Sequence, residues 1–193
     1  MGGHKIINQN ALHFLTMTVV AWVKIFDTKE NLQILVDSLK FCQSNKGLII
    51  NAYVIMSNHI HLICYTKESF NLSETIRDFK RFSANAIINK LLSESSNNKS
   101  DETIKIFQSY GAANRNNLKY QLWYQHNKPM ELYSPKWVYQ KIAYIHNNPV
   151  RAGIVENPEE YSLSSAKQYM GENGIIDVEI LDFGSVEGYI SGY

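Results

Sequence analysis

Two apolar runs, 48–56 (LIINAYVIM) and 59–65 (HIHLICY), are separated only by Ser57 and Asn58. Two polar residues cannot hold a crossover, so the runs must fold back on each other as an antiparallel hairpin. The rest of the chain has to arrange itself around that pair. Upstream, residues 12–26 (LHFLTMTVVAWVKIF) are rich in Val, Thr, Phe and Trp and read as a first strand. Asp27-Thr28 then caps a helix in which Leu32, Leu35, Val36 and Leu39 recur at helical spacing, ending near Lys46-Gly47. Downstream, Asn71 with Glu74 three residues on opens a second helix that carries Ile76, Phe79, Ala84, Ile87, Ile88 and Leu91. Residues 93–101 (SESSNNKSD) contain no apolar side chain and read as an exposed loop, and 118–125 (LKYQLWYQ) alternates like a fourth strand. The order β-α-β-β-α-β predicts an α+β, ferredoxin-like split βαβ module. This is an antiparallel sheet with helices on one face and the first and third strands in the middle.

After this module, Ser134-Pro135 is an N-cap followed by proline at the first helical position, which predicts a short helix to about Asn148, stopped by Pro149. Gly153 and Pro158 interrupt the chain beyond it, and 161–169 reads as another short helix. Residues 1–170 are expected to form one domain, with 171–193 as a C-terminal appendage packed on it.

A chain of 193 residues, 45% of them hydrophobic, can bury a single real core. No apolar stretch approaches the roughly 18–20 residues that span a bilayer, and the start is not a secretory leader, so a cytoplasmic protein without a membrane partner is expected. Cys42 and Cys64 lack Cys-x-x-Cys spacing and read as buried thiols. The formal charge is only +1, so any affinity for phosphate must come from local clusters of cations rather than from the field of the whole molecule.

Two features carry chemistry. His59 and His61 lie two apart on a strand, so both imidazoles point to one side while Ile60 points to the core, and two convergent neutral imidazoles suit a divalent metal. A pair of ordinary hydrogen-bonded strand histidines would look the same. The second feature is the helix after Pro135, where Val138, Ile142 and Ile145 define a buried seam. Tyr144 and Asn148 stand roughly 90–120° from that seam, one turn apart, so they can face one point together. Tyr133 and Tyr139 have no such partner, and His146 points away from Tyr144 and Asn148.

Residues 144–155 (YIHNNPVRAGIV), taken with Asn58-His59-Ile60-His61-Leu62 upstream, resemble the single-tyrosine transposases of the HUH nuclease superfamily. The branch they resemble is that of the REP-associated tyrosine transposases and the small insertion-sequence transposases. Residues 53–65 are similar to that family's metal-binding strand and 160–169 (EYSLSSAKQY) to its downstream stretch. The resemblance implies that His59 and His61 are metal ligands, that Tyr144 is the nucleophile, and that Asn148 occupies the place of a third ligand; a helix cap before Pro149 is the competing role for Asn148. It also implies Mg²⁺ or Mn²⁺ as cofactor and single-stranded, hairpin-containing DNA as partner. Cleavage and rejoining would pass through a 5′-phosphotyrosine, and relatives act as monomers or as homodimers.

Phosphate binding needs cations. Arg77, Lys80 and Arg81 recur at helical spacing on the second helix, where a merely solvated face is the equal alternative. Lys136, Lys141 and Arg151 border the tyrosine helix, and Arg151 falls inside the family-like motif. Trp123 and Tyr124 could stack bases, although core packing suits them better. Other readings are a non-catalytic ferredoxin-like nucleic-acid-binding module, an inactive domesticated transposase, and a metal hydrolase that uses His-x-His in a larger ligand set. The last lacks further Asp and His ligands at suitable spacing.

Overall fold

The computed structural model of the protein describes residues 5–94, 98–114 and 119–181. The hairpin forms as expected: β2 (Leu48–Ile55) and β3 (His59–Thr66) pair antiparallel, and β1 (His13–Thr18) pairs antiparallel with β3 on its other side. A two-residue β4 (Met130–Glu131) completes the sheet in the order β2-β3-β1-β4, which puts β1 and β3 in the middle. This is the α+β arrangement anticipated from the alternation of elements.

Helices α1 (Lys29–Asn45), α2 (Leu72–Ser93) and α3 (Asn98–Ala112) cover one face. Each of the first two starts at a side-chain cap: Thr28 accepts from the Asn31 N–H at 3.3 Å and Asn71 from the Glu74 N–H at 3.0 Å. Such caps contribute about 1 kcal/mol each. The main core lies between this layer and the sheet, with Leu35, Leu39, Ile76, Ile87 and Phe107 against Leu15, Met17, Ile60 and Leu62, all fully buried. Gly47 ends α1 at φ +60°, and a Cβ there would fall inside the Phe70 ring, so both backbone and space demand glycine.

On the opposite face a second apolar cluster holds α4 (Pro135–His146). Its seam of Val138, Ile142 and Ile145 packs on Phe14, Ala52, Val54, Met56 and Ile63. A one-turn α5 (Asn148–Arg151) comes directly after it. Thus Pro149 does not stop the chain's helical course; it sits in the first turn of α5, where a missing N–H costs nothing. In place of one short helix over 161–169 there are two 3₁₀ turns, Pro158–Glu160 and Ala166–Met170.

Two expectations are corrected. The apolar-free stretch 93–101 is not simply a loop, because α3 begins at Asn98 and Ser100 is already buried. Its helical seam, Ser100, Ile104 and Phe107, is too sparse in large apolar residues to announce itself. The stretch 118–125 is not a strand. Leu118 lies outside the described residues, and of the rest only Trp123 makes an isolated bridge, to Val19. The segment does run along β1, with Val20 N–H to Leu122 O, Tyr124 N–H to Thr18 O and Thr16 N–H to Asn127 O. An extra residue between Tyr124 and Asn127 breaks the ladder, and Lys128 turns at φ 43° before β4 resumes it.

The outer edge of β2 is covered. Ser164 and Ser165 lie against Val54 and Tyr53, Leu163 O accepts the Ile55 N–H at 2.9 Å, and Glu179 N–H donates to Ile50 O at 2.9 Å. Ile176 is fully buried, so the described part of 171–181 packs against the sheet and α1; residues 182–193 of the expected appendage lie outside the described residues.

Candidate active site

β3 is central, so its side chains are framed by neighbouring strands. Ile60 enters the main core, and His59 and His61 emerge on the α4 face opposite Thr18 and Thr16 of β1. The His61 ring is wedged between Phe14, stacked at 5.3 Å, and Thr16, whose hydroxyl lies 2.9 Å from Nδ1. His59 is oriented more tightly still. Asn58 donates its amide N–H to the Trp22 carbonyl at 3.1 Å, which leaves Oδ1 facing Nδ1 of His59 at 2.7 Å. An amide oxygen only accepts, so Nδ1 must carry the proton and the lone pair is on Nε2. The two rings sit 4.9 Å apart.

Both imidazoles are biased toward the neutral form that binds metal. Burial lowers the His59 pKa, partly opposed by the Asn148 amide, which lies in hydrogen-bonding reach. Burial, then the charges of His59 and Lys141, push His61 down to about 3.

Helix α4 delivers the remaining parts. Ser134 caps it by accepting the Trp137 N–H, and its apolar seam turns Tyr144 sideways, half-buried, with its ring 5.2 Å from His61 and edge-on at 5.9 Å to Phe14. The helix C-cap is Asn147, whose side chain and backbone N–H both reach Ala143 O at 2.9 Å. Capping is therefore not the role of Asn148, which opens α5 and faces the histidines. Lys141 Nζ lies 5.6 Å above the Tyr144 ring and the Arg151 guanidinium 5.5 Å from it, so two positive charges stand where a phosphate would gain most. His59, His61, Tyr144 and Asn148 share one cleft of about 680 Å³, walled further by Thr16, Trp22, His126 and Lys128.

Among the described residues, no group of three or more His, Cys, Asp or Glu is arranged to hold a metal ion. The donors available here are two imidazoles and the Asn148 amide, a set of a kind that divalent ions accept.

Other sequence-derived candidates fall elsewhere. Arg77 and Arg81 are exposed on α2, paired with Asp78 at 3.7 and 3.1 Å, beside a separate groove of about 440 Å³. Lys80, expected on that same outer face, turns inward instead. Its ammonium bonds Tyr124 O and Asn127 Oδ1, both at 2.7 Å, and burial lowers its pKa to about 8. It fastens the irregular segment beside β1. Trp123 is a core residue, its indole N–H bonded to the Ser83 hydroxyl. His146 is buried away from the cleft, against Ser165. Sequence reasoning missed Asn58 and Thr16 as orienting partners. Asn58 was signalled by adjacency; Thr16 becomes visible only with the β1–β3 register.

The model of the IS200-like transposases matches residues 9–112, more than half of the chain. The protein belongs to the IS200-like transposase family. The matched segment of this transposase contains β1 to α3, and with them Asn58, His59 and His61; Tyr144 and Asn148 lie beyond it. Its fold is similar to that of a REP-associated tyrosine transposase bound to a REP hairpin, with a TM-score of 0.61 and 16% identity over 95% of each chain. A crystal structure of a protein from Deinococcus radiodurans R1, described as a transposase, matches with a TM-score of 0.40 and 16% identity, over 76% of this chain and 96% of that one. No curated protein matches the transposase by sequence. No helix among its described residues is long and apolar enough to cross a membrane.

Proposed function

We propose that this transposase is a metal-dependent single-strand DNA nuclease and strand transferase that works through a 5′-phosphotyrosine at Tyr144, with residues 1–170 as the catalytic unit. The observation that carries the reading is the meeting of Tyr144 and Asn148 with His59 and His61 in one cleft, from elements far apart in the sequence. A neutral phenol is a poor nucleophile, so the surroundings of Tyr144 must favour the attack. Held by His59, His61 and Asn148, Mg²⁺ or Mn²⁺ would draw charge from the scissile phosphate. α4 holds the phenolic oxygen in place, while Lys141 and Arg151 retain the phosphate beside it.

In the forward step the Tyr144 oxygen bonds to phosphorus and the bond from phosphorus to the 3′ oxygen of the preceding nucleotide breaks. The phenol proton passes to solvent, and the departing 3′ oxygen takes up a proton to become a hydroxyl. The tyrosyl phosphodiester keeps the bond energy, so attack by a 3′ hydroxyl reverses the step without a nucleotide cofactor. Single-stranded DNA with a hairpin is the substrate we favour, supported by the hairpin bound to the structurally similar REP-associated protein. Arg77 and Arg81, exposed beside the groove on α2, would hold a more distant part of it.

The test is a denaturing gel of the protein incubated with labelled single-stranded hairpins and Mn²⁺. A protein–DNA adduct is expected from the wild type, none from Tyr144→Phe, and none from the His59→Ala, His61→Ala double variant. An equal adduct from Tyr144→Phe would refute the nucleophile.

A further inference from the structure

Between β1 and α1 the chain makes a tight 3₁₀ turn, Val20–Trp22, in which Ala21 (φ 51°) and Trp22 (φ 57°) both adopt left-handed backbone. Neither is glycine, so both are strained. The surroundings enforce the shape. Trp22 N–H donates to Val19 O at 3.1 Å, the Trp22 carbonyl accepts from Asn58, and the Tyr124 hydroxyl accepts the Ala21 N–H at 3.3 Å.

The largest side chain of this strained turn is left mostly in the open: Trp22 is 59% exposed, and its ring meets His59 at 6.1 Å in a T-shaped contact. An indole needed for folding would be covered; this one is held out at the wall of the catalytic cleft. Tyr144, His61, His59 and Trp22 therefore form a row of rings at successive separations of 5.2, 4.9 and 6.1 Å.

We infer that Trp22 is a stacking platform for an unpaired base of the strand whose phosphate lies at the two histidines. A base hangs from its phosphate by a sugar, so a nucleotide seated at His59 presents its base one ring further along the cleft. The Trp22 backbone there is fixed by its hydrogen bonds to Val19 and Asn58, and its side chain is mostly exposed at the cleft wall. Stacking of this kind tolerates any base, because each has a π face. The same amide of Asn58 that sets the His59 tautomer also holds the Trp22 carbonyl, so phosphate site and base platform share one anchor. The inference rests on the cleft's holding single-stranded DNA, and it is independent of whether Tyr144 is the nucleophile.

The experiment measures binding by the full chain in chelator, so that no cleavage intervenes. The probes are a short oligothymidylate and an abasic strand of equal length and charge. Wild type and Trp22→Phe should prefer oligothymidylate, the wild type by roughly tenfold, and Trp22→Ala should lose that preference while its affinity for the abasic strand is unchanged. Oligothymidylate should quench wild-type tryptophan fluorescence more than that of Trp22→Ala. A wild-type preference in Trp22→Ala, or an equal loss on both strands, overturns the platform. Tyr144→Phe keeps the preference, so a failed adduct assay beside a retained preference would fault the nucleophile and leave Trp22 in place.

Discussion

Asn58 dictates the tautomer of His59: its Oδ1, turned toward the ring because its amide nitrogen is bound to the Trp22 carbonyl, accepts the Nδ1 proton at 2.7 Å. Removing the amide frees the ring to rotate and to protonate at the wrong nitrogen. Asn58→Ala should weaken Mn²⁺ binding by about 10–100-fold, measured by calorimetry, with adduct formation partly restored by excess Mn²⁺. Unchanged affinity would show that Asn58 serves only the turn.

Lys141 reaches the Tyr144 ring from one turn earlier on the same helix and also lies 4.8 Å over Phe14. Lys141→Gln keeps a polar side chain, one atom shorter, and deletes the charge. Adduct formation should slow by roughly tenfold or more, while affinity for single-stranded DNA changes only a few-fold, because one phosphate contact is a small part of binding but is local to the reacting centre. A loss confined to affinity would move Lys141 to the binding surface.

Lys80 is expected to matter for stability rather than for DNA. Lys80→Ala leaves the Tyr124 carbonyl and the Asn127 side chain without their ammonium donor, at a cost of about 2 kcal/mol in urea denaturation. Reduced DNA affinity with an unshifted urea midpoint would return it to the role of phosphate contact.

His146 predicts a pH dependence of folding. It is fully buried between the Ser165 hydroxyl, 2.9 Å away, and the Tyr169 ring, and burial lowers its pKa to about 4. The unfolded chain binds its proton near pH 6.5 and the folded one only near 4, so the contribution is complete above 6.5 and is lost as pH falls toward 4. The loss is on the order of 2–3 kcal/mol. His146→Gln should flatten this part of the stability curve, measured in chelator, whatever its effect at neutral pH; an unchanged slope would show that the ring is not the titrating group.

The hairpin, the capped helices and the histidine pair were legible in the sequence because each depends on local rules: a two-residue turn, an Asn or Thr cap, alternation along a strand. The offset of Tyr144 from its helix seam was legible for the same reason. The segment around Trp123 was not, because its alternation is shared between β1 and α2 and ends at an extra residue that only the register exposes. α3 escaped notice since its buried seam is nearly limited to Ile104 and Phe107. Lys80 shows the converse limit: spacing places a cation on a helix, and only packing decides whether its head meets solvent or three backbone and amide oxygens.

The covering of β2 has a consequence for how this molecule can meet others. Tyr53 exchanges hydrogen bonds with Ser165, Tyr169 and Tyr161 donate to the carbonyls of Asn51 and Ile55, and Glu179 takes Ile50. At the far side of the described sheet β4 offers only two residues. Among the described residues, one margin is largely taken up and the other is two residues long, which disfavours extension of the sheet by main-chain pairing. A second copy would therefore have to meet this one through side chains rather than by edge-to-edge pairing of the described strands.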